Sequence, residues 1–333
     1  MKANNQWLLP RFNKVLPLFP YLGNGSDYIF EADLSLSCPP VDFSLCFLKS
    51  QAVTLLNHWN SDTITQEFAN NPLWQRLKQF VSEWQEEGTL LNAHIADIWF
   101  EFDHHQLQKE LPEPCFFFSP RPLFQFPDQN LDKMNHRWVF DIASVLFRGS
   151  FLSQKVRQNI SLCFASLPAR GNVFQVGLML SRNNPEPLIR LCTSLPIHLY
   201  TSFLEAIGWT GSITDLKTQL RTIARYVDSV FIDIDVGEKI NTPIGLECSF
   251  KSGTDTEQRL QDFLSFLISQ QLATPENVDY VQTWIRDIHV PVLFASHVEE
   301  KRFKRVLSHV KLVLNSDNSL KAKAYLSLSH QTG

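Results

Sequence analysis

The stretch "SLKAKAYLSLS", from Ser319 to Ser329, sets Lys321, Lys323 and Tyr325 two residues apart. Residues at that spacing on a strand share one face. Two ammonium groups and a phenol on an enclosed face could hold an anion; on an exposed edge strand the same lysines only discourage aggregation. Carboxylates recur at the same spacing: Glu31 and Asp33 in "IFEADLSLS", Asp97, Glu101 and Asp103 in "ADIWFEFD", Asp233 and Asp235 in "FIDID", and Glu247 in "GLECSF". Asp233 and Asp235 suggest a metal site, although such a pair is also met solvated or salt-bridged. The run "DHH" (Asp103 to His105) reads as a surface turn at a strand end, and "GNG" (Gly23 to Gly25), which precedes a strand, as a turn and not a phosphate loop.

These residues need strands to carry them. "HVKLVLNSDNSLKAKAYL" is two alternating runs around Asn315 to Asn318, a hairpin. Before it, "TEQRLQDFLSFLISQQL" and "TPENVDYVQTWIRDI" have helical spacing, the second opened by Thr274 as N-cap and Pro275 at the first helical position. The alternation of hairpin and helix pair continues back to "DYIFEADLSLSCPPVDFSLCFL", giving five hairpins separated by four helix pairs. The hairpin in "VFQVGLMLSRNNPEPLIRLCTS" turns at Asn183 to Pro185. "VPVLFASHVEE" reads as irregular, and "EEKRFKR" as a wet helical face.

About ten strands joined as hairpins can form one antiparallel sheet that closes into a barrel, with the helices outside on the apolar strand faces. The expected fold is α+β: one closed barrel of repeated ββαα units over residues 25–330, preceded by an N-terminal extension, residues 1–24. An open two-layer sandwich satisfies the same periodicity. The number of hairpins favours closure, as do Trp99, Phe231 and Tyr325, which sit among charges on faces that water would otherwise wash. The lumen would then carry Glu31, Asp33, Ser35, Asp97, Trp99, Glu101, Asp103, Gln175, Ser181, Arg190, Phe231, Asp233, Asp235, Glu247, Ser249, His309, Lys311, Lys321, Lys323 and Tyr325.

Composition narrows the function classes. Hydrophobic residues form 44% of the 333 and charged residues 19%, which is a globular balance, and the net charge of −4 gives no global attraction to nucleic acid or acidic membranes. The six cysteines include no CxxC pair and read as reduced core thiols of a cytoplasmic protein. No apolar run is long enough to span a bilayer.

Repeated strand-strand-helix-helix units around a polar, aromatic-lined lumen resemble the ABBA, or PT-barrel, prenyltransferases, which include fungal indole-alkylating and cyanobactin peptide enzymes. "KAY" (Lys323 to Tyr325) resembles the family's Lys-x-Tyr strand, whose ammonium and phenol hold an allylic diphosphate. "GLECSF" resembles the strand that carries an acid facing the acceptor, which points to Glu247, with Glu31 as a rival. The resemblance implies transfer of an allylic group to an aromatic or peptide side-chain acceptor. Lys311, Lys321, Lys323, Arg190 and Tyr325 would hold the diphosphate, Trp99 and Phe231 would shield the cation, and Glu247 or Glu101 would take the proton. Asp233 and Asp235 could bind Mg²⁺, or the surplus acids could pair with a cationic acceptor. The lumen departs from the family in having fewer bases and more acids. That departure keeps open a different peptide-tailoring enzyme on the same barrel, and a non-catalytic barrel that binds a cationic peptide.

Overall fold

The structure, a computed structural model, describes residues 14–20, 27–62, 64–121, 137–147, 152–182, 188–251, 253–294 and 297–330. The expected turns at Gly23 to Gly25 and Asn183 to Pro185 lie outside them. Five ββ units run along the chain: β1 (Asp27–Asp33) with β2 (Val41–Leu48), β3 (Ile95–Phe102) with β4 (Cys115–Pro120), β5 (Asn172–Leu178) with β6 (Ile189–Ser194), β7 (Ser229–Val236) with β8 (Ile240–Ser249), and β10 (His297–Leu314) with β11 (Leu320–His330). Consecutive hairpins join side by side, β10 pairs with β8 and β11 with β1, so ten antiparallel strands close into a barrel.

An eleventh strand, β9 (Arg286–Phe294), pairs with the first half of β10. It corrects two expectations. "VPVLFASHVEE", read as irregular, supplies much of β9 and the start of β10, with residues 295–296 outside the description; "EEKRFKR", read as helical, lies within β10. Cross-strand pairing satisfies the backbone there and overrides local charge patterning.

Helices fill the connections and pack on the outer face of the sheet. Between β2 and β3 the principal one is α3 (Pro72–Gln85), after α1 (Ala52–Trp59) and the short α2 (Gln66–Asn70), and before the short α4 (Leu90–His94). Asn71 caps α3, accepting from the amides of Leu73 and Trp74, and Pro72 takes the first turn, where no N–H is needed. The inward stripe Leu73, Trp74, Leu77, Phe80, Val81 and Trp84 is buried against Phe100, Phe116 and Phe118 of the strands. Buried apolar stripes likewise seat α5 (Arg137–Leu146) and α6 (Gln154–Ala165), α7 (Tyr200–Ala206) and α8 (Ile213–Ile223), and α9 (Thr256–Ser269) and α10 (Pro275–Trp284), the last capped by Thr274 as expected. Buried indoles tie helices to strand backbone: Trp84 donates to the Ile95 carbonyl and Trp284 to that of Ser327, each at 3.2 Å. Phe19 packs among Phe47, Trp59, Trp74, Phe100 and Phe102, so part of the expected N-terminal extension belongs to this core. Of the six free cysteines five are buried, and Cys38 is exposed. No helix among the described residues is long and apolar enough to cross a membrane.

Candidate functional site

The strands' apolar faces are claimed by the helices, so their polar faces turn into the lumen. Charges near the hairpin turns meet there and neutralise one another. Arg190 on β6 donates two hydrogen bonds to Asp235 on β7, at 2.8 and 3.0 Å. Arg182 bridges Asp103 and Glu101 from β3, with 3.0 Å contacts to each. Lys321 reaches Asp33 at 2.8 Å, and Lys323 pairs with Glu31. Lys311 on β10 pairs with Asp233 on β7, crossing the intervening strand β8 at Gly245. A Cβ at Gly245 would collide with the Lys311 side chain, so the missing side chain is what opens this path.

Arg190, Glu101, Asp233 and Lys311 of these ion pairs also line a cavity of about 290 Å³. Trp99, Phe117, Phe174, Phe231 and Tyr325 supply aromatic walls; Glu101, Asp233, Glu247, His309, Arg190 and Lys311 supply the titratable groups; and Ile29, Ser44, Gln175, Cys192, Ser249 and Ser308 complete the lining. Phe174 and Phe231 meet edge to face with ring centroids 5.2 Å apart. His309 lies flat on Tyr325, centroids 4.1 Å apart. Gly177 leaves room for the Phe117 ring, which a Cβ there would strike.

Burial and neighbouring charge sort the carboxylates into two groups. Burial raises the pKa of Glu31, Asp233 and Asp235, yet adjacent cations win: Lys323 and Lys311 bring Glu31 to about 2, Lys311 and Arg190 hold Asp233 below the usual range, and Arg190 does so for Asp235. The other group holds its protons. Burial, reinforced by Asp233, lifts Glu247 to about 8; burial with Glu31 lifts Asp42 to about 7; and burial lifts Glu101 to about 7 despite Arg182. Burial and then Lys311 depress His309 to about 4, leaving a neutral imidazole.

Of the residues to which the sequence pointed, Glu247, Glu101, Lys311, Arg190, Tyr325, Trp99, Phe231 and Asp233 all line this cavity. Lys321, Lys323 and Asp235 do not. Asp235 and Lys323 are taken up in ion pairs with Arg190 and Glu31, and Lys321, with its side chain 43% exposed, pairs with Asp33. Asp103, read as part of a surface turn, is buried on Arg182, while the turn itself falls at His104 and His105. As found, Asp233 and Asp235 make a poor cation site. Both oxygens of Asp235 accept from Arg190 and one of Asp233 accepts from Lys311. Among the described residues no group of three or more His, Cys, Asp and Glu side chains is arranged to hold a metal ion.

Sequence reading missed Phe117, Phe174, Cys192 and the bridging role of Arg182. Phe117 was legible, since it alternates with the outward-facing Phe116 and Phe118 in "CFFFS". Phe174 was not. The β5–β6 register shifts between Val173 and Gln175, and both Phe174 and Gln175 line the cavity. The same happens on β10, where a shift between Leu307 and His309 brings Ser308 and His309 in together.

No protein-family model and no curated protein matches the chain. Among solved structures, the crystal structure of AnaPT from Neosartorya fischeri aligns with it at a TM-score of 0.46 and 10% identity, covering 92% of this chain and 77% of that one. At that score and identity the match carries no argument about chemistry. The closed barrel rests on the strand pairing itself.

Proposed function

We propose that the barrel is a transferase that moves an allylic group from a diphosphate donor onto an aromatic or peptide side-chain acceptor in the lumen. The observation that carries this reading is one cavity lined both by the aromatic rings of Trp99, Phe117, Phe174 and Phe231 and by the cations Lys311 and Arg190. An allylic diphosphate combines an apolar tail with a polyanionic head. On ionisation the C–O bond breaks and its electron pair leaves with pyrophosphate. Lys311 and Arg190 would neutralise that charge, Lys323 would assist, and the Tyr325 hydroxyl would donate a hydrogen bond. The ring faces would stabilise the allylic cation without supplying a nucleophile. A cavity of about 290 Å³ suits a short allyl chain and one acceptor side chain. Mg²⁺ in this reading would accompany the diphosphate head, because Asp233 and Asp235 are already engaged by Lys311 and Arg190.

A second reading is favoured by the ion pairing. Lys311, Lys323, Arg190 and Lys321 each already have a carboxylate partner, and carboxylates outnumber cations in the lumen. Such a chamber suits a cationic peptide side chain, whether tailored or only bound. Calorimetry and thermal melts with dimethylallyl and geranyl diphosphate, with and without Mg²⁺, decide between the two. The transferase reading expects donor binding that raises the melting temperature and weakens in Lys323→Ala. No binding of either diphosphate, together with tight binding of an arginine-rich peptide, removes it.

A further inference from the structure

The β10 bulge turns His309 into the chamber with one nitrogen occupied and one open. Nδ1 lies 3.1 Å from the Ser308 hydroxyl. Nε2 is buried and has no hydrogen-bond partner among the described residues. The nearest acid, Glu247, keeps its Oε1 3.6 Å away, beyond hydrogen-bond range. Stacking on Tyr325 fixes the plane of the imidazole ring. With the ring hydrogen on Nδ1, donated to Ser308, the buried and unpartnered Nε2 in the cavity wall is free to accept a ligand's proton.

We infer that His309 Nε2, and not the Glu247 carboxylate, removes the acceptor's proton in the transfer reaction proposed above. The inference rests on that reading of the chamber. Glu247 holds its own proton around neutrality, because burial and the nearby Asp233 raise its pKa to about 8. A carboxylic acid cannot accept a second proton there, whereas the imidazole is neutral throughout the neutral range. The groups facing it are Lys311 on its own strand, Glu247 on β8, Asp233 on β7, Glu31 on β1 and Tyr325 on β11. Low basicity is no obstacle, because the proton to be removed sits on a cationic adduct, a strong acid.

The step balances. The allylic C–O bond breaks toward pyrophosphate, the acceptor atom forms the new bond to the allylic carbon, and its proton passes to Nε2. The imidazolium then lies over the Tyr325 face, favoured by the Asp233 and Glu31 carboxylates, and returns the proton to water after product release.

The test uses the full chain with dimethylallyl diphosphate and, in turn, the amides of N-acetyltyrosine, N-acetyltryptophan and N-acetylarginine. His309→Asn should lower kcat by about 10²-fold or more, with the donor KM changed far less. Added imidazole should restore part of the turnover of His309→Ala, a rescue that a merely structural role would not give. Glu247→Gln should retain measurable turnover and lose any limb of the pH profile near 8. Long-range ¹H–¹⁵N spectra of histidine-labelled protein should find Nε2 without a proton between about pH 6 and 8. A wild type that transfers nothing to any acceptor removes the transferase reading and the inference with it. An active wild type with an equally active His309→Asn and a dead Glu247→Gln leaves transfer standing and overturns His309 as the base. So does a protonated Nε2 around neutrality.

Discussion

Replacing Lys311 with Met removes the ammonium that Asp233 was buried against while keeping most of the side-chain volume. Lys311 is 8% exposed and Asp233 3%, so solvent screens neither charge. Removing one partner of such a pair costs about 3–5 kcal/mol, because the other charge is left uncompensated. Arg190 still acts on Asp233, which sets the expectation at the lower end, about 3 kcal/mol. At roughly 2 °C per kcal/mol for a chain of this size, the melting temperature should fall by about 6 °C. The pH dependence supplies the sharper signature. Asp233 has a depressed folded-state pKa, so in the wild type its contribution is present above the unfolded value and is lost as pH falls through the folded one. Without Lys311, burial drives that pKa upward, Asp233 takes a proton more readily, and the variant's deficit should narrow from about pH 7 to pH 4. Adding Asp233→Leu to Lys311→Met should recover much of the loss, since no charge then remains buried there. Urea unfolding of wild type, single and double variants across pH measures all of this. A deficit below about 1 kcal/mol at pH 7, or one that does not change with pH, would refute the claim that Lys311 compensates a buried carboxylate.

Gly245→Ala should push Lys311 off Asp233 and cost about 1–3 kcal/mol in urea unfolding, with a matching loss of any donor binding. Lys321→Ala, removing an exposed ammonium, should change stability by no more than about 1 kcal/mol and leave donor affinity the least affected of the lysine variants, as calorimetry would read. Glu247 keeps its proton in the fold up to about pH 8 but releases it near 4.5 when unfolded, so the wild type should lose stability as pH rises between those values. Unfolding curves across that window should be flatter for Glu247→Gln. Phe100→Ala, in the core between sheet and α3, should cost about 3–5 kcal/mol without altering the pH dependence.

Alternation and capping are local, and the sequence carries them in full. Period two in "SLKAKAYLSLS" assigned Lys321, Lys323 and Tyr325 to one face, and Thr274 with Pro275 marked the start of α10. The hairpin and helix-pair rhythm pointed to a closed barrel because ten linked strands need to bury one face and lose their edges. Partnership was another matter. That Lys311 reaches over Gly245 to Asp233, and that Arg190 is taken by Asp235 opposite it on β7, depends on the order and register of strands, which no local pattern encodes. The bulges that bring in Phe174 and His309 break the period on which the face assignment rests, and β9 arises from a pairing that its charged partner segment does not advertise. Sequence determined which residue types line the barrel; tertiary closure decided which of their charges cancel and which nitrogen stays open, because those outcomes depend on strand order and register and not on spacing along the chain.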